Sequence, residues 1–330
     1  MRLVARLMIA GVALATGGLT AGCSSAVVPD AQGATNPAAI SSPGRAIKAT
    51  VPAAAATKTA GASAGPVLDV VGAPSGVKAK EGILVDATTG QVLWSRDANV
   101  PRPIASITKV MTALVILQSG SLNREITVPK AVVNYVATYG AEAAGLIPGQ
   151  VYTTDELLHA MLIVSAADAA YTLANAYGPG LPAFIAKMNA EAAKLGLTGT
   201  HFTSPDGLPY PTEYSTYSTP SDLVTLGELA MDNPVFRSIV GLQFFNLPKG
   251  PGHPAASWST SDELLGNYPG VIGIKSGYTN AAGHTLLFES TRNDRTLIGV
   301  VLGSPPTNPA TAAQDASKVL NWGFALKQPA

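Results

Sequence analysis

The 330-residue chain has a single cysteine, Cys23, so no intrachain disulfide can brace it. It has no surplus of either charge. Its 21 basic residues balance 21 acidic ones, and charged residues make up only 13% of the chain. That leaves no electrostatic case for nucleic acid or for an acidic partner. Aromatic residues are scarce at 6%, and none precedes Trp94. There is no His-Glu-x-x-His string and the four histidines are scattered, so nothing in the pattern calls for a metal or another cofactor. No internal repeat is visible. Hydrophobic residues, at 47%, are plentiful enough for a sizeable core.

The N-terminus reads as a targeting segment. Arg2 and Arg6 precede an apolar stretch over residues 7–19 of signal-peptide length. It ends in Thr20-Ala21-Gly22-Cys23, which resembles a bacterial lipobox in which the cysteine receives a lipid, although Thr20 stands in the usual Leu place. A retained membrane anchor and a plainly cleaved secretory signal are the alternatives. All three deliver the rest of the chain outside the cytoplasmic membrane. Residues 24–66 are rich in Ala, Ser, Thr, Pro and Gly. Such a stretch cannot bury enough apolar surface to offset its chain entropy, and reads as a flexible tether. The folded domain is expected over residues 67–330.

Within it, Gly82–Asp86 and Gln91–Trp94 flank a turn-like Ala87-Thr88-Thr89-Gly90 and predict a hairpin. A second hairpin is predicted from Thr285–Glu289 and Thr296–Leu302. The middle of the chain is helical. Apolar residues recur at helix spacing after Ser106 and again at Phe184, Ile185, Met188, Ala192 and Leu195. Thr153-Thr154-Asp155-Glu156 is a capping-box start for a helix over 157–163, and Ser218-Thr219-Pro220 opens another. Ala316, Val319, Leu320 and Phe324 predict a C-terminal helix. Strands at both ends with helices between them imply an α+β fold, its sheet built from the two ends of the domain.

Three short strings carry chemistry. In Ser106-Ile107-Thr108-Lys109, a serine and a lysine three residues apart share one helix face. A serine hydroxyl becomes nucleophilic when a base takes its proton, and a lysine can be that base once burial or a second cation lowers its pKa. Lys275 is the candidate second cation. The bland alternative is a capping serine and a solvated lysine. Ser165-Ala166-Ala167 lies between two predicted helices, where Ser165 could relay a proton or merely cap the next helix. Lys275-Ser276-Gly277-Tyr278-Thr279 reads as an edge strand. Lys275 and Ser276 would meet a substrate carboxylate, and Gly277 would let a substrate backbone lie close. The N–H groups of Ser106 and Tyr278 are the candidate oxyanion hole. A plain strand with a surface lysine is the alternative there.

Taken in order, these strings and their surroundings resemble the penicillin-recognising serine enzymes. Pro103–Leu114 is similar to the nucleophile segment of the low-molecular-mass D-alanyl-D-alanine carboxypeptidases, serine peptidases of the S11 type. Ser165–Ala170, Thr200–Leu208 and Tyr268–Gly283 match further strings of that family. The resemblance covers about residues 80–325. It implies the penicillin-binding protein or β-lactamase-like fold, an antiparallel sheet flanked by helices with an inserted helical subdomain. It implies an acyl-enzyme on Ser106 with Lys109 as base, Ser165 as relay, and Lys275, Ser276, Gly277, Tyr278 and Thr279 binding substrate. The substrate would be the peptidoglycan stem peptide ending in D-Ala-D-Ala, with β-lactams as its mimics, and no metal or cofactor is implied.

Two positions depart from the pattern. The family's second string ends in Asn, whereas this chain has Ala167. Losing one positioned amide typically costs about 2–4 kcal/mol of transition-state stabilisation, or about 30- to 1000-fold in rate. Many relatives also carry an Arg beyond the last hairpin, but residues 303–317 contain no Arg or Lys. Three readings stay open at this stage: a working carboxypeptidase, an impaired protein that binds penicillin or stem peptides, and a β-lactamase.

Overall fold

A computed structural model describes residues 72–327. The expected signal segment, Cys23 and the 24–66 tether lie outside the described residues. The first hairpin forms as β1 (Glu81–Asp86) and β2 (Gln91–Arg96). The chain then passes a short strand, β3 (Arg102–Pro103), and a 3₁₀ turn over Ala105–Thr108 into α1 (Lys109–Ser119). Next come β4 (Glu125–Thr127), α2 (Val132–Tyr139), β5 (Val151–Thr153), α3 (Thr154–Ile163), α4 (Ala167–Tyr177) and α5 (Leu181–Lys194). β6 (Tyr217–Ser218), α6 (Pro220–Met231), α7 (Pro234–Val240), β7 (Phe244–Leu247) and β8 (Ala256–Ser259) lead to the long strands β9 (Val271–Thr279), β10 (Gly283–Arg292) and β11 (Arg295–Ser304). The helix α8 (Thr311–Ala325) follows.

The main sheet is antiparallel, in the order β2-β1-β11-β10-β9. β1 pairs with β11, Ile83 opposite Val300, so the sheet joins the two ends of the domain as the sequence implied. Its central strands are buried on both faces. Leu84, Phe288, Leu297 and Val301 pack with Val319 and Leu320 of α8. Gly323 permits that approach, because a Cβ there would lie 2.4 Å from the Leu84 side chain. On the opposite face Ile83, Leu287, Ile298 and Val300 join one continuous core with α1, α3, α4, α5 and α6.

Local chemistry sets the helix starts. Thr153 caps α3 by accepting from the Glu156 N–H, and the Glu156 carboxylate accepts from the Thr153 N–H at 2.7 Å, completing the capping box. Thr219 caps α6 in front of Pro220. One start differs from expectation. The turn carrying Ser106 is 3₁₀, and α1 proper begins at Lys109. In a 3₁₀ turn residues i and i+3 eclipse, which sets Ser106 and Lys109 directly above one another. α1 runs through the middle of the domain, with residues 109–116 all buried.

Candidate active site

A cleft of about 490 Å³ opens where the sheet edge meets the helical layer. Its walls come from three places far apart in sequence: Ser106 and Lys109, then Ser165 and Ala167 between α3 and α4, then residues 276–279 of β9. These are the three strings singled out above.

The Ser106 turn is clamped from below. Ala105 has φ +47°, and Gly207, at φ +83°, sits so tightly against it that a Cβ would lie 1.9 Å from the Ala105 carbonyl oxygen. Thr112 donates its hydroxyl to the Pro205 carbonyl, which ties α1 to the same loop. Lys109 is 2% exposed. Its Nζ lies 2.9 Å from Ser106 Oγ and donates to the Asp206 carbonyl at 3.1 Å. Burial lowers the amine to about 8, against the opposing pull of the Asp206, Asp168 and Glu142 carboxylates. Lys109 is therefore no solvated side chain, and no side-chain capping bond forms at the turn.

Lys275 is as deeply buried, 1% exposed, with Nζ donating to the Ser276 carbonyl at 2.9 Å. Burial, and then the nearby Lys109 charge, lower it to about 7. Sequence reasoning left burial or Lys275 as the cause of a lowered Lys109 pKa. Burial is the cause, and the repulsion between the amines is felt at Lys275. Two amines so placed carry one proton readily and a second only at a cost.

Ser165 lines the cleft with φ +65° and caps nothing, the N-cap of α4 being Ala166. No hydrogen bond among the described residues reaches its hydroxyl. Ala167 opens α4 and donates its N–H to the Glu142 carbonyl at 2.8 Å. Asp168 accepts from the N–H groups of Ala144, Leu146 and Ala169, fastening the chain after α2 over the cleft.

β9 is a sheet edge, hydrogen-bonded in the main sheet only to β10. Ser276 Oγ donates to the Ser261 carbonyl at 2.9 Å and lies 3.0 Å from Ser261 Oγ. A Cβ on Gly277 would sit 2.8 Å from the Ser106 nitrogen, so this glycine lets the strand meet the Ser106 turn. Tyr278 is 47% exposed with its ring against His284, 4.6 Å between centroids. Thr279 also lines the cleft, but its hydroxyl accepts from the Ala282 N–H within its own turn.

Several cleft residues escaped sequence reasoning. Ser261 reaches Ser276 from a loop with no motif of its own. Glu142, Tyr139 and His284 line the walls. Asp206 lies inside the Thr200–Leu208 string, which signalled kinship and gave no hint of a contact with Lys109. Its carboxylate accepts from the Tyr135 hydroxyl through both oxygens, at 3.0 and 2.9 Å.

The S11 peptidase family, described as D-alanyl-D-alanine carboxypeptidase, matches residues 69–306. The chain belongs to this family. It is a serine-type D-alanyl-D-alanine carboxypeptidase. It is 43% identical over 251 residues to the D-alanyl-D-alanine carboxypeptidase DacB2 of Mycobacterium tuberculosis, covering 75% of this chain and 83% of that protein. Identity to the D-alanyl-D-alanine carboxypeptidase of Streptomyces sp. strain K15 is 37% over 262 residues, 76% of this chain and 88% of the other. The crystal structure titled Streptomyces K15 DD-transpeptidase superposes with a TM-score of 0.72 at 36% identity, over 77% of this chain and all of that one. The α+β fold is thus the family's. The S11 carboxypeptidases are extracytoplasmic enzymes that act on the D-Ala-D-Ala ends of peptidoglycan and bind β-lactams.

Proposed function

We propose that Ser106 is the nucleophile of this carboxypeptidase and Lys109 its base, acting on stem peptides that end in D-Ala-D-Ala. The observation that carries this reading is the 2.9 Å contact between the hydroxyl and a buried amine whose pKa lies near 8. In the neutral form the Lys109 lone pair accepts the Ser106 proton as Oγ attacks the penultimate D-Ala carbonyl carbon. The N–H groups of Ser106 and Tyr278 hold the negative charge that develops on oxygen. As the tetrahedral species collapses, the C–N bond breaks and the proton passes through Ser165 to the departing terminal D-Ala amine. The unpartnered Ser165 hydroxyl is free for that relay. Lys275 and Ser276 hold the terminal carboxylate, Gly277 and Thr279 lie along the peptide, and water then hydrolyses the ester. A β-lactam acylates the same oxygen.

A binding protein without turnover is not favoured. Ala167 removes an amide but leaves nucleophile and base in contact, and the relatives at 37–43% identity are named as carboxypeptidases. Release of D-Ala from a pentapeptide, with labelling by fluorescent penicillin, tests the assignment. Labelling of folded protein without release of D-Ala overturns it.

At the N-terminus, lipid attachment to Cys23 would hold the enzyme on the outer face of the cytoplasmic membrane, with residues 24–66 as tether. The Arg2/Arg6 region, the apolar 7–19 stretch and the small residues before Cys23 support this. Mass spectrometry of the mature N-terminus decides it, and an unmodified Cys23 rules the lipid out.

A further inference from the structure

A second cavity, of about 450 Å³, lies behind one wall of the active-site cleft. It sits between α2, the start of α5 and the loop over residues 203–210. Tyr139 lines both cavities, so the two adjoin at a single side chain. Its character is distinctive. Four tyrosines line it: Tyr135, Tyr139, Tyr171 and Tyr210. Tyr135 packs 4.6 Å from Tyr171 and 5.6 Å from Tyr139, and Tyr139 lies edge-on to Tyr210 at 6.4 Å between centroids. Neutral polar groups from Asn134, Thr138, Thr203 and Ser204 share the lining, and no Lys, Arg, His, Asp or Glu does. Tyr210 is 56% exposed, leaving much of its ring uncovered.

That chemistry selects its occupant. An anion would find no cation there, and a cation no carboxylate. A plain acyl chain would leave the hydroxyl and amide groups without use. A neutral pyranose presents apolar C–H faces to aromatic rings and hydroxyl or acetamido groups to the polar edges. The volume falls within the range of small-molecule sites, about 300–1,000 Å³. Such sugars arrive covalently joined to the substrate, because the stem peptide hangs from a strand of N-acetylated hexosamines. Five extended residues span at most about 17 Å, and the cavities share a wall. We propose that the tyrosine-lined cavity beside Tyr139 is a subsite for the glycan strand that carries the stem peptide, so that the enzyme reads sugar and peptide together. This rests on the stem-peptide reading given above.

The test compares D-Ala release from a bare pentapeptide with release from the same peptide on its disaccharide, using the mature chain. The disaccharide form is expected to have kcat/KM about tenfold higher, expressed in KM, as one or two stacking contacts would provide. Tyr210→Ala and, independently, Thr138→Trp, which fills the groove from the exposed side of α2, bring the ratio of the two substrates close to one. Calorimetry with chitotriose shows binding to the wild-type chain that Tyr210→Ala removes. Equal kcat/KM for the two substrates in the wild type overturns the subsite, as does a ratio that survives both variants. So does binding of decanoate in the groove where chitotriose does not bind. If neither substrate releases D-Ala, the stem-peptide reading fails, and the chitotriose measurement still decides the groove by itself.

Discussion

At the scale of single residues, Lys109 as the proposed base would set the chemistry, because only a neutral amine can take the Ser106 proton. Rate is therefore expected to rise with pH through about 8, the value to which burial lowers Lys109. The Asp206 carboxylate favours the charged amine and so raises that value. Asp206→Asn removes the negative charge, and the acid limb of kcat/KM is expected to move to lower pH. A loss of rate with an unmoved limb would show that Asp206 does no more than shape the loop. Ser106→Ala is expected to abolish covalent penicillin labelling and to cut D-Ala release by at least about a thousandfold. A variant that still labels removes Ser106 from its role. Ala167→Asn restores an amide at the cleft wall and is expected to raise kcat/KM by about 30-fold or more. An unchanged rate would mean that the surroundings of Glu142 and Ser261 have been rebuilt for alanine.

The elements matter because the site is assembled from their ends. Gly207→Ala would push a Cβ into the Ala105 carbonyl at a backbone angle that disfavours a side chain. It is expected to destabilise the fold by about 3 kcal/mol or more and to displace the Ser106 turn, read as lower Tm and lost labelling. Thr153→Ala, at the α3 capping box, is expected to cost about 1 kcal/mol in denaturant unfolding while labelling persists. Elements with strong local signals were legible in sequence. α3 announces itself through Thr153 and Glu156, α6 through Thr219 and Pro220, and the terminal hairpins through short apolar runs on either side of turn residues. α2 was not legible. Val-Val-Asn-Tyr-Val-Ala-Thr-Tyr is β-branched and aromatic, buries only Val132 fully, and is helical through its place in the fold rather than its propensity. The two-residue strands β3 and β6 are too short to leave a pattern. The three strings proposed to carry catalysis were readable because their residue types and order are constrained by chemistry. The contacts of Ser261 and Asp206 follow from loop geometry, which no spacing rule encodes.

For the whole molecule, two buried amines, Lys109 in the cleft wall and Lys275 behind it, are a standing cost to the folded state. A lysine whose folded pKa is lowered is destabilising wherever it is protonated. For Lys109 that cost is full below about pH 8 and fades as pH rises to its unfolded value of 10.5. Lys109→Met is therefore expected to raise Tm at pH 6 while, on the proposed mechanism, abolishing activity, with the gain shrinking between pH 8 and 10.5. Thermal melts across that range check it, and a gain independent of pH would assign the effect to packing. The edge position of β9 reaches beyond catalysis. An open strand margin invites a neighbouring chain to add itself, and here the inviting margin is the β9 edge along which the proposed substrate peptide would lie. An inhibitor that stays covalently attached would then act as a guard rail, leaving the poisoned enzyme slower to clump on heating than the free one.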